Sequence, residues 1–233
     1  MNCIRRVLGL KSWRVRQIVV MSEWEKTQMP SDLGVPIEVS QQGIELATWK
    51  KNPADLLLSV GWHRIFRQDI LEAVPLIINI HPSLLPKYRG WAYNWAVVNG
   101  DREHGLTAHI VDQGVDTGPI LLQRVFSLSK FDTYRSLTRK LLDAHDDFVP
   151  ELLEKIQHEG ILPVAQNEEM ASAPPRRLPK DSLIDPTKTL VELYDQIRAS
   201  DPETFPAHFF VEGKKVCIKL WRSEKGPDEQ DMI

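Results

Sequence analysis

The sequence predicts an α/β fold, with a mostly parallel sheet covered by helices on both faces, plus a small C-terminal helix and β-hairpin. Three observations carry that reading. Apolar runs of strand length alternate with stretches of helical spacing between residues 17 and 111, and parallel strands need crossovers of that kind. The glycine-rich loop around Gly114 and Gly118 is too short for a crossover helix, so the two runs it joins are expected to be antiparallel neighbours. At 233 residues and 42% hydrophobic, the chain is long enough for one substantial core with a small appendage.

Ile4, Val7, Leu8 and Trp13 give residues 4–14 a loose helical spacing, and Gln17–Met21 reads as a short buried strand. A helix over Gly43–Lys50 leads to a strand over Asp55–Val60. After Gly61, Ile65–Ala73 fits a helix, Leu76–Ile80 a strand, Tyr93–Val98 a helix, and Leu106–Val111 and Ile120–Leu128 the antiparallel pair. Asp132-Thr133-Tyr134-Arg135 can cap a long helix whose apolar stripe uses Leu137, Leu141, Leu142, Phe148, Leu152, Leu153 and Ile156, ending near Gly160. Pro150 is expected to kink or interrupt it. Pro163–Pro186 reads as a linker, with Arg176-Arg177 its solvated part. Leu190–Arg198 has helical spacing, and His208–Val211 with Lys215–Trp221 forms a hairpin around Glu212-Gly213-Lys214. The expected boundaries are a main domain over 1–162, a linker over 163–187 and a helix-hairpin region over 188–233. Phe209, Phe210, Val216, Ile218, Leu220 and Trp221 lie on a hairpin too small to bury them, so a homodimer interface is expected there.

The formal net charge of −3 gives no overall basic field to draw nucleic acid, and small acceptors are favoured. Cys3 and Cys217 lie far apart without metal-ligand spacing, so neither a disulfide framework nor a zinc site is expected. The N-terminus lacks a continuous apolar h-region, and no apolar run reaches the ~20 residues of a spanning helix. A cytoplasmic location without a membrane partner is the expectation.

The densest chemistry lies in Asn79-Ile80-His81-Pro82-Ser83-Leu84-Leu85-Pro86-Lys87-Tyr88-Arg89-Gly90 and in Gly114-Val115-Asp116-Thr117-Gly118. Asn79 and His81 sit two apart at a strand end and share a face. Asp116, in a loop, can be brought up to the imidazole without belonging to the same strand. Such a trio suits acyl transfer: the amide donates to a developing oxyanion, where one donor is typically worth ~3 kcal/mol, the imidazole is a second donor, and the carboxylate accepts protons. His109 is expected to pack or hydrogen-bond along its own strand. Lys87 and Arg89, in a proline-bounded loop, suit a phosphate or pyrophosphate, while Trp91 and Tyr93 can stack on a sugar or base. The Trp-Ala-Val-Val context of Trp95 looks buried.

Together with Gly105-Leu106-Thr107 and Asp116-Thr117-Gly118-Pro119-Ile120, these motifs cover residues 52–160 and resemble the formyltransferases that use 10-formyltetrahydrofolate. The resemblance implies a Rossmann-like formyltransferase fold, Asn79, His81 and Asp116 as the catalytic set, and 10-formyltetrahydrofolate as co-substrate without a metal. It places the folate against the loops Gly61–Ile65 and Asp112–Val115, with Trp62, Ile65, Gln113, Gly114 and Val115 lining the slot. Trp91–Trp95 and Asp201–Ala207 look most like the members that formylate nucleotide-linked amino sugars. The acceptor implied is the amine of a dTDP-linked amino deoxysugar, such as a 4-amino-4,6-dideoxyglucose, held by Lys87, Arg89, Trp91 and Tyr93. Glycinamide ribonucleotide, methionyl-tRNA and a non-catalytic binding role stay open as alternatives. Relatives usually open with an apolar strand and a glycine turn, whereas this chain begins Met1-Asn2-Cys3-Ile4-Arg5-Arg6, so that first strand is expected to be missing.

Overall fold

The computed structural model describes residues 2–91 and 94–225; Tyr93 lies outside them. The elements run α1 (Asn2–Leu8), β1 (Ile18–Val20), α2 (Glu23–Gln28), β2 (Ile37–Val39), α3 (Leu46–Lys51), β3 (Leu57–Val60), α4 (Gln68–Ala73), β4 (Ile77–His81), α5 (Trp95–Val98), β5 (Glu103–Ile110), β6 (Ile120–Ser127), α6 (Tyr134–Glu159), α7 (Leu190–Arg198), β7 (Ala207–Val211) and β8 (Lys214–Ile218). The α/β class is the one expected. β1 pairs with β2 and β3 with β4 in parallel, and β4 pairs with β5 antiparallel. The second ladder runs in the order β3-β4-β5-β6. Ile110 N–H donates to Pro119 O at one end of β5 and Leu128 N–H to Arg102 O at the other, which makes β5 and β6 antiparallel. Among the described residues the first strand is Ile18–Val20, preceded by α1. No helix among them is long and apolar enough to cross a membrane.

Residues 22–39, which carry no element in the sequence reading, hold α2 and β2. The signal was there: Ser22 Oγ accepts from Glu25 N–H at 3.1 Å, and Glu25 Oε2 accepts from Met21 N–H at 2.6 Å, a reciprocal cap from a Ser-x-x-Glu spacing. In α6, Thr133 and Ser136 cap each other through side chain and amide, as the sequence suggests. Leu137, Leu141, Phe148, Leu152 and Leu153 are buried, each worth roughly 1.5–3 kcal/mol relative to exposure, but Leu142 faces solvent. The helix runs on through Pro150. Proline leaves the carbonyl four residues earlier without its usual donor, and Arg6 Nη1 donates to that carbonyl, Asp146 O, at 3.2 Å.

The chain divides into two compact units. The first comprises 1–81, 106–124 and 143–169. Its core sets Trp49 of α3 and Ile70 of α4 against Leu57 of β3 and Ile77 of β4, with Val74. The second comprises 82–105, 125–142 and 170–233. There Ile184, Leu193, Ile197 and Ala207 form a core that takes up Phe209, Ile218 and Leu220. One face of the hairpin therefore packs on its own α7, while Phe210, Val211, Val216 and Trp221 remain exposed. The hairpin turns at Glu212 and Gly213, both in the left-handed region at φ 48° and 76°, as a two-residue turn of matching twist requires. The proline-rich stretch is held down at several points: Ser172 N–H donates to Pro86 O, Ser172 O accepts from Arg89 N–H, and Ile184 N–H donates to His208 O.

Candidate active site

β4 is buried on both faces, and the register of β5 decides what its polar side meets. Asn79 lies directly across from His109, and His81 from Thr107. Directly opposed residues share a face, so Asn79, His81, Thr107 and His109 stand on one side of the ladder. Ser59 Oγ on β3, the neighbour of Asn79 in the parallel register, donates to Asn79 Oδ1 at 2.7 Å. With its carbonyl engaged, the Asn79 amide turns its nitrogen toward His109 Nε2 at 3.3 Å and Asp116 Oδ1 at 3.5 Å.

Asp116 arrives from the loop between β5 and β6. Its backbone is left-handed at φ 53°, a region that Asp tolerates better than most residues. Gln166 fixes the loop from outside, its Nε2 donating to Asp116 O at 2.8 Å and to Gly118 O at 2.7 Å. The Asp112 carboxylate fixes it from within, accepting from Gly114 N–H and Thr117 Oγ. A Cβ on Gly118 would fall 1.8 Å from Ile110 O, so only glycine fits the close return of the chain to β5.

The outcome is a single carboxylate facing three polar side chains. Asp116 Oδ2 lies 3.3 Å from His81 Nδ1, and Oδ1 lies 3.3 Å from His109 Nε2. The His81 and His109 side chains are only 4% and 3% exposed and that of Asp116 15%, so the carboxylate opens further to solvent than either imidazole. His109 Nδ1–H donates to Ile110 O at 3.0 Å, which sets its ring plane. The three residues expected together are together. His109, expected to pack or hydrogen-bond along its own strand, does so through Nδ1 and Ile110 O and also belongs to the cluster as a fourth member, which Ser59 and Gln166 support. A two-residue offset puts it on the same face as Thr107, but the cross-strand register that seats it opposite Asn79 is not written in either strand alone.

The two loops expected to hold a folate lie in the same unit. Gln113 Nε2 donates to Gln68 Oε1 at 3.4 Å, which ties the loop 112–115 to the start of α4, just past the loop 61–67. Ile65 and Val115 expose apolar side chains, Gln113 and Gly114 are exposed, and Trp62 is half-buried. Gly114 leaves no room for a Cβ, which would meet Thr117 Oγ1 at 2.0 Å. Exposed backbone beside apolar side chains fits a flat ring with a polar edge.

The residues expected to hold the acceptor belong to the second unit. Lys87 Nζ is engaged by Asp101 Oδ2 at 2.7 Å, and the same oxygen accepts from Tyr88 Oη. Arg89 is buried. Trp91 is half-exposed, and Trp95 donates its indole N–H to Pro175 O at 2.9 Å.

Comparison with known proteins adds a family and a fold. The sequence profile of the family described as Formyl transferase matches residues 38–153. A methionyl-tRNA formyltransferase of Desulfotalea psychrophila is 39% identical over 167 residues, 70% of this chain and 51% of that protein. The chain spans about half the length of the curated relatives it matches. A 4-N formyltransferase from Francisella tularensis superposes with a TM-score of 0.77 at 19% identity, over 95% of this chain and 94% of that one. An N-formyltransferase from Helicobacter canadensis, solved with folinic acid and dTDP-3-aminofucose, gives a TM-score of 0.63 at 25% identity, over 77% of this chain and 65% of that one.

Proposed function

The chain belongs to the formyl transferase family, and we propose that it moves a formyl group from 10-formyltetrahydrofolate to the amine of a nucleotide-linked amino deoxysugar. The observation that carries the chemistry is the convergence of Asn79, His81 and His109 on the Asp116 carboxylate. When bound, the folate supplies an activated formyl group; the loops 61–65 and 112–115, with Trp62, Ile65, Gln113, Gly114 and Val115, would hold it. Asn79, its carbonyl pinned by Ser59, offers an oriented N–H to negative charge developing on the acyl oxygen, a contribution of ~3 kcal/mol for one such donor. His81 is the second donor. Asp116 takes Nδ1–H of His81 as its partner, fixes the ring, and would receive, directly or through water, the proton that the neutral attacking amine must lose once its nitrogen bonds to the formyl carbon, while the bond from that carbon to the folate nitrogen breaks and tetrahydrofolate leaves with a proton on that nitrogen.

For the acceptor, the negative formal charge favours a small molecule over a transfer RNA, and the likeness to the Francisella 4-N formyltransferase runs over nearly the full length of both chains. Lys87, Arg89, Trp91 and Tyr93 are proposed on the acceptor side, Lys87 as part of a fixed pair with Asp101. A second reading, the amine of methionyl-tRNA, is favoured by the names of the relatives at 31–39% identity. One experiment separates them: the protein is incubated with 10-formyltetrahydrofolate and a panel of amines that includes dTDP-linked 3-amino and 4-amino deoxysugars, glycinamide ribonucleotide and methionyl-tRNA. Mass spectrometry is expected to find one added formyl group on an amino sugar. Formylation of methionyl-tRNA alone would replace this acceptor, and no product with any amine would end the catalytic reading.

A further inference from the structure

A group of cations without counterions lies at the N-terminal end of the strands in the first unit. Residues 1–22 hold Arg5, Arg6, Lys11, Arg14 and Arg16 and no acid, in a chain whose formal net charge is −3. Arg5 and Arg6 are matched, by Asp32 and by Asp147. Lys11, Arg14 and Arg16 are exposed, and among the described residues their side chains have no hydrogen-bond or ion-pair partner. Exposure alternates from Trp13 to Gln17, which turns Arg14 and Arg16 to one outer face. Asn52 Nδ2 donates to Gln17 Oε1 at 3.2 Å and to Arg16 O at 3.4 Å, which brings the end of α3 beside them, with Lys50 and Lys51 exposed and equally unmatched. Two exposed acids adjoin this surface along the chain, Asp55 and Glu154, the latter next to the Leu153 carbonyl that accepts from the Trp13 indole, and the cations outnumber them. The surface stands away from the cluster around Asp116. Asn52 precedes β3, and β3 runs parallel to β4, whose far end carries Asn79 and His81; β3 alone separates the two ends by about 10 Å. Charge lies at one end of the ladder and chemistry at the other.

We propose that this surface docks on a membrane leaflet rich in anionic phospholipid, Lys11, Arg14, Arg16, Lys50 and Lys51 meeting the phosphate headgroups while the cluster around Asp116 stays turned toward solution. Each basic side chain held near such a leaflet strengthens attraction several-fold, and several together retain a chain that no single one would. Leu10 and Trp13, half-buried among the cations, add an apolar edge at headgroup depth. A polynucleotide is the other polyanion of this chemistry, but it is gripped through exposed aromatic faces, and here Trp49 is buried and Trp13 has its indole N–H fixed on Leu153 O. The contact is peripheral, since no described helix is long and apolar enough to cross a membrane. It departs from the expectation of no membrane partner, which the negative total charge favoured and the placement of Lys50 and Lys51 beside Arg16 reverses.

The full chain is sedimented with vesicles of phosphatidylcholine alone and of phosphatidylcholine with an equal share of phosphatidylglycerol. Partitioning is expected to be at least tenfold stronger onto the anionic vesicles and to fall as salt is raised. Arg16→Gln and Lys51→Gln are each expected to weaken it about fivefold, and the double variant about twentyfold, with unchanged melting temperatures. Lys180→Gln, at an exposed cation of the second unit, is expected to leave it unchanged. Equal partitioning onto both vesicles, parental partitioning by the double variant, or a loss with Lys180→Gln as large as with Arg16→Gln overturns the docking surface. Tighter binding to a mixed-sequence RNA oligonucleotide than to the anionic vesicles, lost in the same double variant, also overturns it and assigns the cations to a polynucleotide.

Discussion

Two carboxylates in this protein, one buried and one half-buried, are built in opposite ways. Asp132, 1% exposed, accepts from Ser129 N–H and Lys140 Nζ at 2.7 Å each and from Ser136 Oγ at 2.8 Å. Every partner is short, and none of them exchanges a proton easily. Burial alone would raise its pKa, but Lys140, the Ser129 amide and the Ser136 hydroxyl reverse that and hold the carboxyl below its usual range. Asp116 instead meets two imidazoles and an amide at 3.3–3.5 Å, with part of its surface open. Short bonds to permanent donors make a staple. Long bonds to imidazoles leave a carboxylate able to tighten or let go during a reaction, as catalytic contacts without substrate commonly are.

The contrast is broken most directly at Asp116. Asp116→Ala and His81→Ala are each expected to lower turnover about 10³-fold, and Asn79→Ala by ~10²- to 10³-fold in kcat, all with melting temperatures within a few degrees of the parent. The check is the formyl-transfer assay beside a thermal melt; near-parental turnover in either of the first two would remove the cluster from the mechanism. Asp132→Asn is expected to do the opposite, costing about 2 kcal/mol in denaturant unfolding while kcat of the folded fraction is kept. Because the folded pKa of Asp132 is depressed, its contribution is present above the unfolded carboxylate value and fades as pH falls through the folded one, so the variant should lose part of the acid dependence below about pH 4. A midpoint unchanged from the parent would show that Asp132 is no staple.

The smallest expected effect comes from a third acid, with neither kind of partner. Burial first, and the Asp146 carboxylate next, push the Cys3 thiol up to about 11. An acid whose folded pKa is raised favours folding less as pH climbs past its unfolded value of 9.0, so stability should decline between pH 9 and about 11. Cys3→Ala should flatten that decline in pH-dependent melts, and an unaltered slope would assign it to other groups.

Strand-length apolar runs around Ser59, Asn79 and Thr107 make much of the first unit legible in the sequence, and the Asn79–His81 offset marks half of the cluster. What the sequence could not carry was register. His109 becomes a neighbour of Asn79 only because β5 lies antiparallel with residue 109 opposite 79, and Gln166 reaches the Asp116 loop from fifty residues away. Both are long-range facts, absent from any local period. The hairpin taught the same lesson in reverse. Its apolar face reads as in need of a partner, but α7 and Ile184 supply part of one within the same chain. Of Arg176-Arg177, read as solvated, Arg176 is exposed with its guanidinium over the ring of Trp91, whereas Arg177 is half-buried and donates to Ala199 O and Asp181 O, long-range contacts that two basic residues between prolines do not announce.

Arg6 and Pro150 form a pair with a history dependence. Pro150 deprives Asp146 O of its helical donor, and Arg6 supplies a substitute from the N-terminal helix. Loss of Arg6 thus leaves a partly exposed carbonyl in the middle of a 26-residue helix to water, whereas the same loss after Pro150→Ala removes a contact that the helix no longer needs. The two positions can drift in one order and not in the other, which ties what residues may stand in the first turns of the chain to a proline more than a hundred residues away.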